Sequence, residues 1–187
     1  ARWERARGRK LVQAASSAEL ALDDDLDEDT EAQPEPGAAD GAAEPDDLRA
    51  AAARELGIEV HALLEVWDGV DAPDLSEATA EAAEMVRTFL QTPLSQRVRS
   101  ARQAFRELPF LGPGSVGIVD LLLETEDGWL VVDYKTNAVS SESEARAAAE
   151  AYRGQAHAYV AAVRGALQTS NVRFEAWFLR GPWAVAL

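Results

Sequence analysis

Three side chains in this 187-residue chain have the types and spacing to act on a charged substrate: Asp120, Asp133 and Lys135. Asp133 and Lys135 sit two apart in Val131-Val132-Asp133-Tyr134-Lys135-Thr136, and alternate residues of a strand share a face. Upstream, Gly117-Ile118-Val119-Asp120 lies in a second apolar run, Val116 to Thr125. Asp127-Gly128 between the runs is a hairpin signal. Read as a two-residue loop, it pairs Glu126 with Trp129. That register sets Asp120 opposite Lys135, with Asp133 diagonal on the same face. Two carboxylates on apolar strands repel each other unless a cation lies between them. Oxygen ligands suit a hard ion, so Mg²⁺ (or Mn²⁺) is the natural guest. A lysine beside it can orient a water or stabilise charge developing on phosphate. The competing reading is a surface hairpin whose Asp and Lys form a plain ion pair. The flanking runs are too apolar for a solvated face.

The elements around these residues follow from periodicity. Leu48 to Trp67 reads as a helix, with Leu56, Val60, Leu63, Leu64 and Trp67 on one stripe and His61 at its border. A histidine there is either a packed residue or a ligand. Asp68 to Leu75 reads as a loop and Ser76 as the N-cap of the next helix, whose core face is Ala78, Ala82, Met85 and Phe89. A shorter helix is expected from Leu94 to about Phe105. It carries Arg97, Arg99 and Arg102, with Arg106 just beyond, which either meet phosphates or form a solvated face. The β part is expected to start at Glu107-Leu108-Pro109-Phe110 and to turn at Gly112, Pro113 and Gly114. After a polar loop, Ala145 to Gln168 reads as one helix. Tyr152, Gln155 and Tyr159 share one of its faces at i, i+3 and i+7, able to grip phosphate or stack a base, or simply to pack. His157 points elsewhere. Val172 to Leu179 and Trp183 to Leu187 close the chain as strands, the last at an edge.

Composition sets limits. The net charge is −15, the hydrophobic content 47%, and there is no Cys, which excludes disulfides, cysteine-ligated zinc and a four-cysteine iron–sulfur cluster. No apolar run of about 18 residues appears, so no membrane span is expected. No secretory signal is visible at the start, and the expected location is cytoplasmic. The first residue is Ala, which suggests an excised domain or a processed chain. Residues 1–15 read as a short basic, helix-prone piece, which is either a frayed terminus or a helical tail of a preceding region. Residues 16–47 read as an acidic, disordered linker, and 48–187 as the main domain. Thirteen acids and no Lys or Arg fall within 19–48, so the acidic balance is concentrated there and residues 49–187 carry −6. Overall charge is therefore a poor argument against nucleic acid. Only Lys10 and Lys135 are lysines among 18 basic residues. A compact ammonium fits beside a metal where a planar guanidinium does not, so Lys135 is placed for a reason.

Asp120, a spacer, then Asp133-Tyr134-Lys135-Thr136 resembles the core of the PD-(D/E)xK nucleases. The longer pattern, from Gly117 through Thr136 to Gln155-x-x-x-Tyr159, resembles the C-terminal nuclease domain of the AddA and RecB helicase–nucleases over about residues 54–187. Gly57-Ile58-Glu59-Val60-His61-Ala62-Leu63-Leu64-Glu65 is similar to a helix whose histidine joins the metal site in those relatives, which implies His61 as a ligand. Arg106 to Phe110 is similar to their strand beside the catalytic hairpin, where Glu107 is either an acid behind the ligands or a structural residue. The resemblance implies an α/β restriction-endonuclease-like core with a small mixed central sheet flanked by helices. It further implies a metal-dependent deoxyribonuclease acting on DNA ends or single strands in recombinational repair. The implied metal ligands are His61, Asp120, Asp133 and the Tyr134 carbonyl, with Lys135 activating the water. Gln155, Tyr159, Tyr152, Arg97 and Arg102 are the candidates for supporting and DNA contacts. A helicase motor, within the same chain or on a partner, is the implied associate, since no Walker A sequence occurs within these residues. Two other readings stand beside this one: a non-catalytic DNA-binding or protein-interaction module, and a standalone restriction-like endonuclease.

Overall fold

The computed structural model describes residues 45–112 and 115–187. The expected basic tail (1–15), most of the acidic linker and the centre of the Gly112–Gly114 turn lie outside those residues. One compact unit spans Ala52–Leu187. In chain order the elements are α1 (Pro45–Glu65), α2 (Ala80–Leu90), α3 (Pro93–Ser100), β1 (Gln103–Gly112), β2 (Ser115–Thr125) and β3 (Gly128–Lys135). Then come α4 (Glu142–Ala149), a 3₁₀ turn (Glu150–Tyr152), α5 (Arg153–Leu167), β4 (Val172–Phe178) and β5 (Trp183–Ala186). The strands form one sheet in the order β1-β2-β3-β4-β5. Only β3 and β4 are parallel, which requires the helical crossover α4–α5 between them. This is a mixed α/β sheet with helices, as the resemblance implies.

Each sheet face carries its own core. Val60, Leu64 and Trp67 join Val86, Phe89, Leu94 and Val98 of α2–α3 over Leu121, Leu123, Leu130, Val132 and Trp177. On the other face Ala145, Ala149, Ala156, Tyr159 and Val163 cover Val119, Leu122, Val131, Phe174, Ala176 and Phe178. With both faces covered, β3 is buried along nearly its whole length. That is why its sequence reads as a continuous apolar run.

Several boundaries differ from the sequence reading. The N-cap of α2 is Thr79, not Ser76. Thr79 Oγ1 accepts from the Ala82 N–H, and its own N–H and hydroxyl donate to Glu59 of α1, both at 2.6 Å. Ser76 instead donates its N–H to Asp74 Oδ1. Helix α3 stops at Ser100, and Phe105 and Arg106 already belong to β1, which begins four residues before Glu107. The 145–168 helix is broken by the 3₁₀ turn. Helix α1 begins at Pro45, inside the expected linker, where proline suits a first turn.

The register of the β2–β3 hairpin also differs. Thr125 pairs with Gly128 and Leu121 with Val132, so the loop residues are Glu126 and Asp127. A type I′ turn needs positive φ at both loop residues. Among the described residues only Glu107 and Gln168 do so without being glycine. Gly128 (φ +112) takes the positive-φ place after the turn instead. The register moves by two residues, which leaves side chains on their expected faces. Carried one step further, the ladder brings Asp120 level with Asp133 rather than Lys135.

Gly128 is also covered by Asn171, whose Nδ2 donates to the Asp127 carbonyl at 2.6 Å. A Cβ on Gly128 would come within 2.8 Å of the Asn171 backbone oxygen. We expect Gly128→Ala to cost about 1–3 kcal/mol, seen as a lower urea midpoint with unchanged m. An unchanged midpoint would show that the positive φ is not needed there.

Candidate functional site

The site forms where β2 and β3 part. Their last pair is Leu121 with Val132, and the next residues, Asp120 and Asp133, are both buried. Asp120 Oδ2 accepts the Tyr134 backbone N–H at 2.6 Å, which fixes one carboxylate oxygen at the strand end. Asp133 Oδ2 lies 2.6 Å from Lys135 Nζ, and both side chains are largely buried. This oxygen has an ion-pair contact but no hydrogen bond of good direction.

Helix α1 supplies His61. Its Nε2 donates to the Tyr134 carbonyl at 3.1 Å. Its Nδ1 lies 3.7 Å from Asp120 Oδ1. Tyr134 itself turns its ring into the first core, edge-on to His61, Phe89 and near Trp177. Burial holds the phenol of Tyr134 well above the usual tyrosine range.

Strand β1 supplies Glu107, and it does so through a strained backbone. Glu107 has φ +43, rare for a residue with a side chain. The regular pairing of β1 with β2 skips the Glu107–Asp120 position. Before the break, Arg106 reaches over Trp67 on the first face and Phe105 packs on the second. After it, Leu108 and Phe110 pack on the second face, so the alternation has changed phase. On β2, Leu121 lies in the first core, while Leu122 and Val119 both lie in the second, which is the same phase change. The two strands switch together at the facing pair. Regular alternation gives no hint of this, and it places Glu107 among the ligating groups.

One ligand atom from each of His61, Glu107 and Asp120 lies within 4.8 Å of the others. Ligands on one small octahedral cation at ~2.1 Å sit about 3 Å apart when adjacent and about 4 Å when opposite. The separations here run up to 4.8 Å, so the three donors fit a hard divalent ion once the side chains close in. Asp133 lies outside this trio with its Oδ2 against Lys135 Nζ, and the Tyr134 carbonyl accepts from His61. An open groove of about 390 Å³, lined by Gly57, Ile58, His61, Ala62, Glu65 and Glu107, leads to it.

The acids show the strain of this crowding. Asp120 is pushed up to about 8, first by burial and then by the neighbouring Asp133 charge. Glu107 is pushed up to about 7, first by burial and then by Asp120. Burial raises Asp133 as well, against the pull of Lys135.

Lys135 is gripped from α5. Its Nζ donates to Gln155 Oε1 at 3.3 Å, and Gln155 Nε2 donates to the Tyr159 hydroxyl at 2.9 Å. Burial holds the Tyr159 phenol above its usual range. Gly117 lets Phe110 approach Tyr159 edge-on, with ring centroids 5.0 Å apart. Tyr152 lies against Lys135, with the ring centroid 3.6 Å from Nζ. The structure thus gathers His61, Glu107, Asp120, Asp133, Tyr134, Lys135, Tyr152, Gln155 and Tyr159. It does not bring Arg97 among them. That guanidinium forms a two-pronged bond to Glu175, which also accepts from Trp177 Nε1. Arg102 is exposed in the bend after α3, its N–H donated to the Glu124 carbonyl. Arg99 lies over Trp67 and donates to Ser95 Oγ.

Comparison with known proteins points the same way. A family model for the PD-(D/E)XK nuclease superfamily matches residues 77–182. Among curated proteins, the chain is 31% identical over 115 residues to the A-type subunit of the ATP-dependent helicase/nuclease of Heliobacterium modesticaldum, covering 50% of this chain and 8% of that protein. It is 32% identical over 120 residues to the protein of the same name from Pelotomaculum thermopropionicum, covering 54% and 9%. To that of Carboxydothermus hydrogenoformans it is 34% identical over 115 residues, covering 52% and 10%. The match therefore spans a tenth or less of those relatives' length.

The raised acids make a signed prediction. A carboxyl raised in the folded state contributes stability below its unfolded value, and this is lost as pH rises through the folded value. In EDTA, stability should fall as pH rises from about 4 to about 8. Asp120→Asn should flatten that fall and be the more stable protein at the alkaline end. Urea midpoints across the range test it, and a variant with the wild-type slope would remove Asp120 as the cause.

Proposed function

Since the chain belongs to the PD-(D/E)XK nuclease superfamily, we propose that it hydrolyses DNA phosphodiester bonds with a divalent cation, Mg²⁺ or Mn²⁺. The observation that carries this reading is the convergence of Asp120, Asp133 and Lys135 from adjacent strands with His61 of α1. His61, Asp120, Asp133 and the Tyr134 carbonyl would hold the ion, with Glu107 beside them. The bound ion would supply Lewis acidity to the phosphoryl oxygen and a water of lowered pKa.

The chain's own residues prepare the rest. Asp120 is pinned by the Tyr134 N–H and so keeps one oxygen turned toward His61 and Glu107. Asp133 holds the Lys135 ammonium at the strand end, where it can orient the attacking water and stabilise charge on the phosphate. Gln155 accepts from that ammonium and is itself oriented by Tyr159. Water attacks phosphorus, the bond to the 3′-oxygen breaks, and the leaving oxygen takes up a proton. The partly buried acids resist a phosphate approaching without a cation, which ties turnover to the metal.

The named relatives are helicase/nuclease subunits, which supports a wider setting. The domain would trim DNA ends or single strands delivered by a helicase motor, in recombinational break repair, inside the cell. Among the described residues no helix is long and apolar enough to cross a membrane.

The test is cleavage of end-labelled linear single-stranded DNA, beside closed circular duplex, with Mg²⁺, Mn²⁺ or EDTA. Lys135→Ala and Asp133→Ala should each lower kcat by about 10³-fold or more, since each removes a group that acts on the reacting phosphate. Cutting that survives both substitutions would sink this site. Mn²⁺ binding without any cutting would favour a non-catalytic DNA-binding module, and preferred cutting of closed duplex would favour a restriction-like endonuclease.

A further inference from the structure

We propose that Tyr152 is a positioning residue for Lys135. Its ring holds the ammonium in place and yields that contact to a phosphate oxygen when substrate arrives. The proposal rests on the nuclease reading above, and deepens it.

An ammonium has three N–H groups. On Lys135, Asp133 Oδ2 lies at 2.6 Å, Gln155 Oε1 at 3.3 Å, and the Tyr152 ring centroid at 3.6 Å. The side chain is only 13% exposed, so water has little part in its solvation. The ammonium thus has a carboxylate in ion-pair contact, one amide oxygen accepting a hydrogen bond, and an aromatic face. A free acceptor in place of the ring would form a directed, charge-assisted bond that an incoming phosphate oxygen must displace. A ring face attracts the cation without directing it, and so gives way most easily of the three.

The local backbone turns the ring there. Tyr152 is the last residue of the 3₁₀ turn that separates α4 from α5, with φ −97 and ψ 7 rather than helical values. Its hydroxyl donates to Asn137 Oδ1 at 3.2 Å, in the loop just after β3. The ring is thus fixed at its far end while its face meets the ammonium. Tyr152 belongs to neither apolar core, so packing does not account for its position.

Lys10 and Lys135 are the only lysines in the chain, so the state of Lys135 can be read directly. Reductive methylation of the intact protein, followed by peptide mass spectrometry, gives the rate at Lys135 relative to Lys10. Tyr152→Leu keeps bulk and loses the aromatic face, whereas Tyr152→Phe keeps the face and loses the hydroxyl. In Tyr152→Leu the Lys135 rate should rise about fivefold or more, and kcat on single-stranded DNA should fall by a similar factor with KM little changed. Tyr152→Phe keeps the face but loses the Asn137 anchor, and should fall between wild type and Tyr152→Leu in both. A wild-type labelling rate in Tyr152→Leu overturns the proposal, as does equal loss in the Phe and Leu proteins. If labelling rises as expected but no protein cuts DNA, wild type included, the ring's hold on Lys135 stands and the nuclease reading fails.

Discussion

Crowding of like charge organises this molecule. Glu107, Asp120 and Asp133 are electrostatic neighbours at one end of the sheet, and Lys135 places its ammonium against Asp133. Burial and mutual repulsion push Asp120 and Glu107 toward neutrality. A fold that only needed stability would replace such groups with apolar ones of similar size. Here the surrounding elements hold them in place instead. Tyr134 gives its N–H to Asp120 and its carbonyl to His61, so one residue of β3 serves two sides of the cluster. The arrangement makes chemical sense with a divalent ion at its centre, which would turn each unfavourable carboxylate into a ligand.

The backbone bears part of this burden. Strands β1 and β2 change phase at facing positions, Glu107 with φ +43 and Asp120 beside it. Below the switch, Leu121 and Leu123 fill the first core; above it, Val119 and Leu108 fill the second. The switch sets both acids where neither core claims them. A backbone held in a sparsely populated region persists only when its surroundings over-determine it. Two cores gripping the same pair of strands on opposite faces provide that.

The sequence made some of this legible and hid the rest for physical reasons. The apolar run of β3 and the apolar stripe of α1 were plain, because burial on both sheet faces leaves a continuous run and burial on one helix face a periodic one. Asp133 beside Lys135 followed from the two-residue period of a strand alone. Ser76 was a reasonable cap by type, but Thr79 is the residue that Glu59 reaches, and a contact across 20 residues leaves no local signal. Asp127-Gly128 marked the hairpin correctly and misplaced its loop, because glycine took the position after the turn rather than within it. The phase change at Glu107 broke the very rule used to read strands. Arg97 looked like a phosphate contact by composition, yet the buried-side chemistry of Glu175 and Trp177 claims it.

The acidic balance also finds a physical place. Residues 49–187, after the strongly acidic stretch, keep a net charge of −6, part of it in the site's own acids. A protein with this charge attracts no polyanion by its overall field. On the proposed reading, recognition of a phosphate is local and conditional on the cation. Loading one divalent ion removes two units of negative charge at the point where the phosphate has to bind. Lys135 adds a further positive charge there, shielded by Asp133 and Tyr152 until it is needed. Specificity for the metal-loaded state then follows from electrostatics: the same acids that resist a bare phosphate are what draw the ion that admits it.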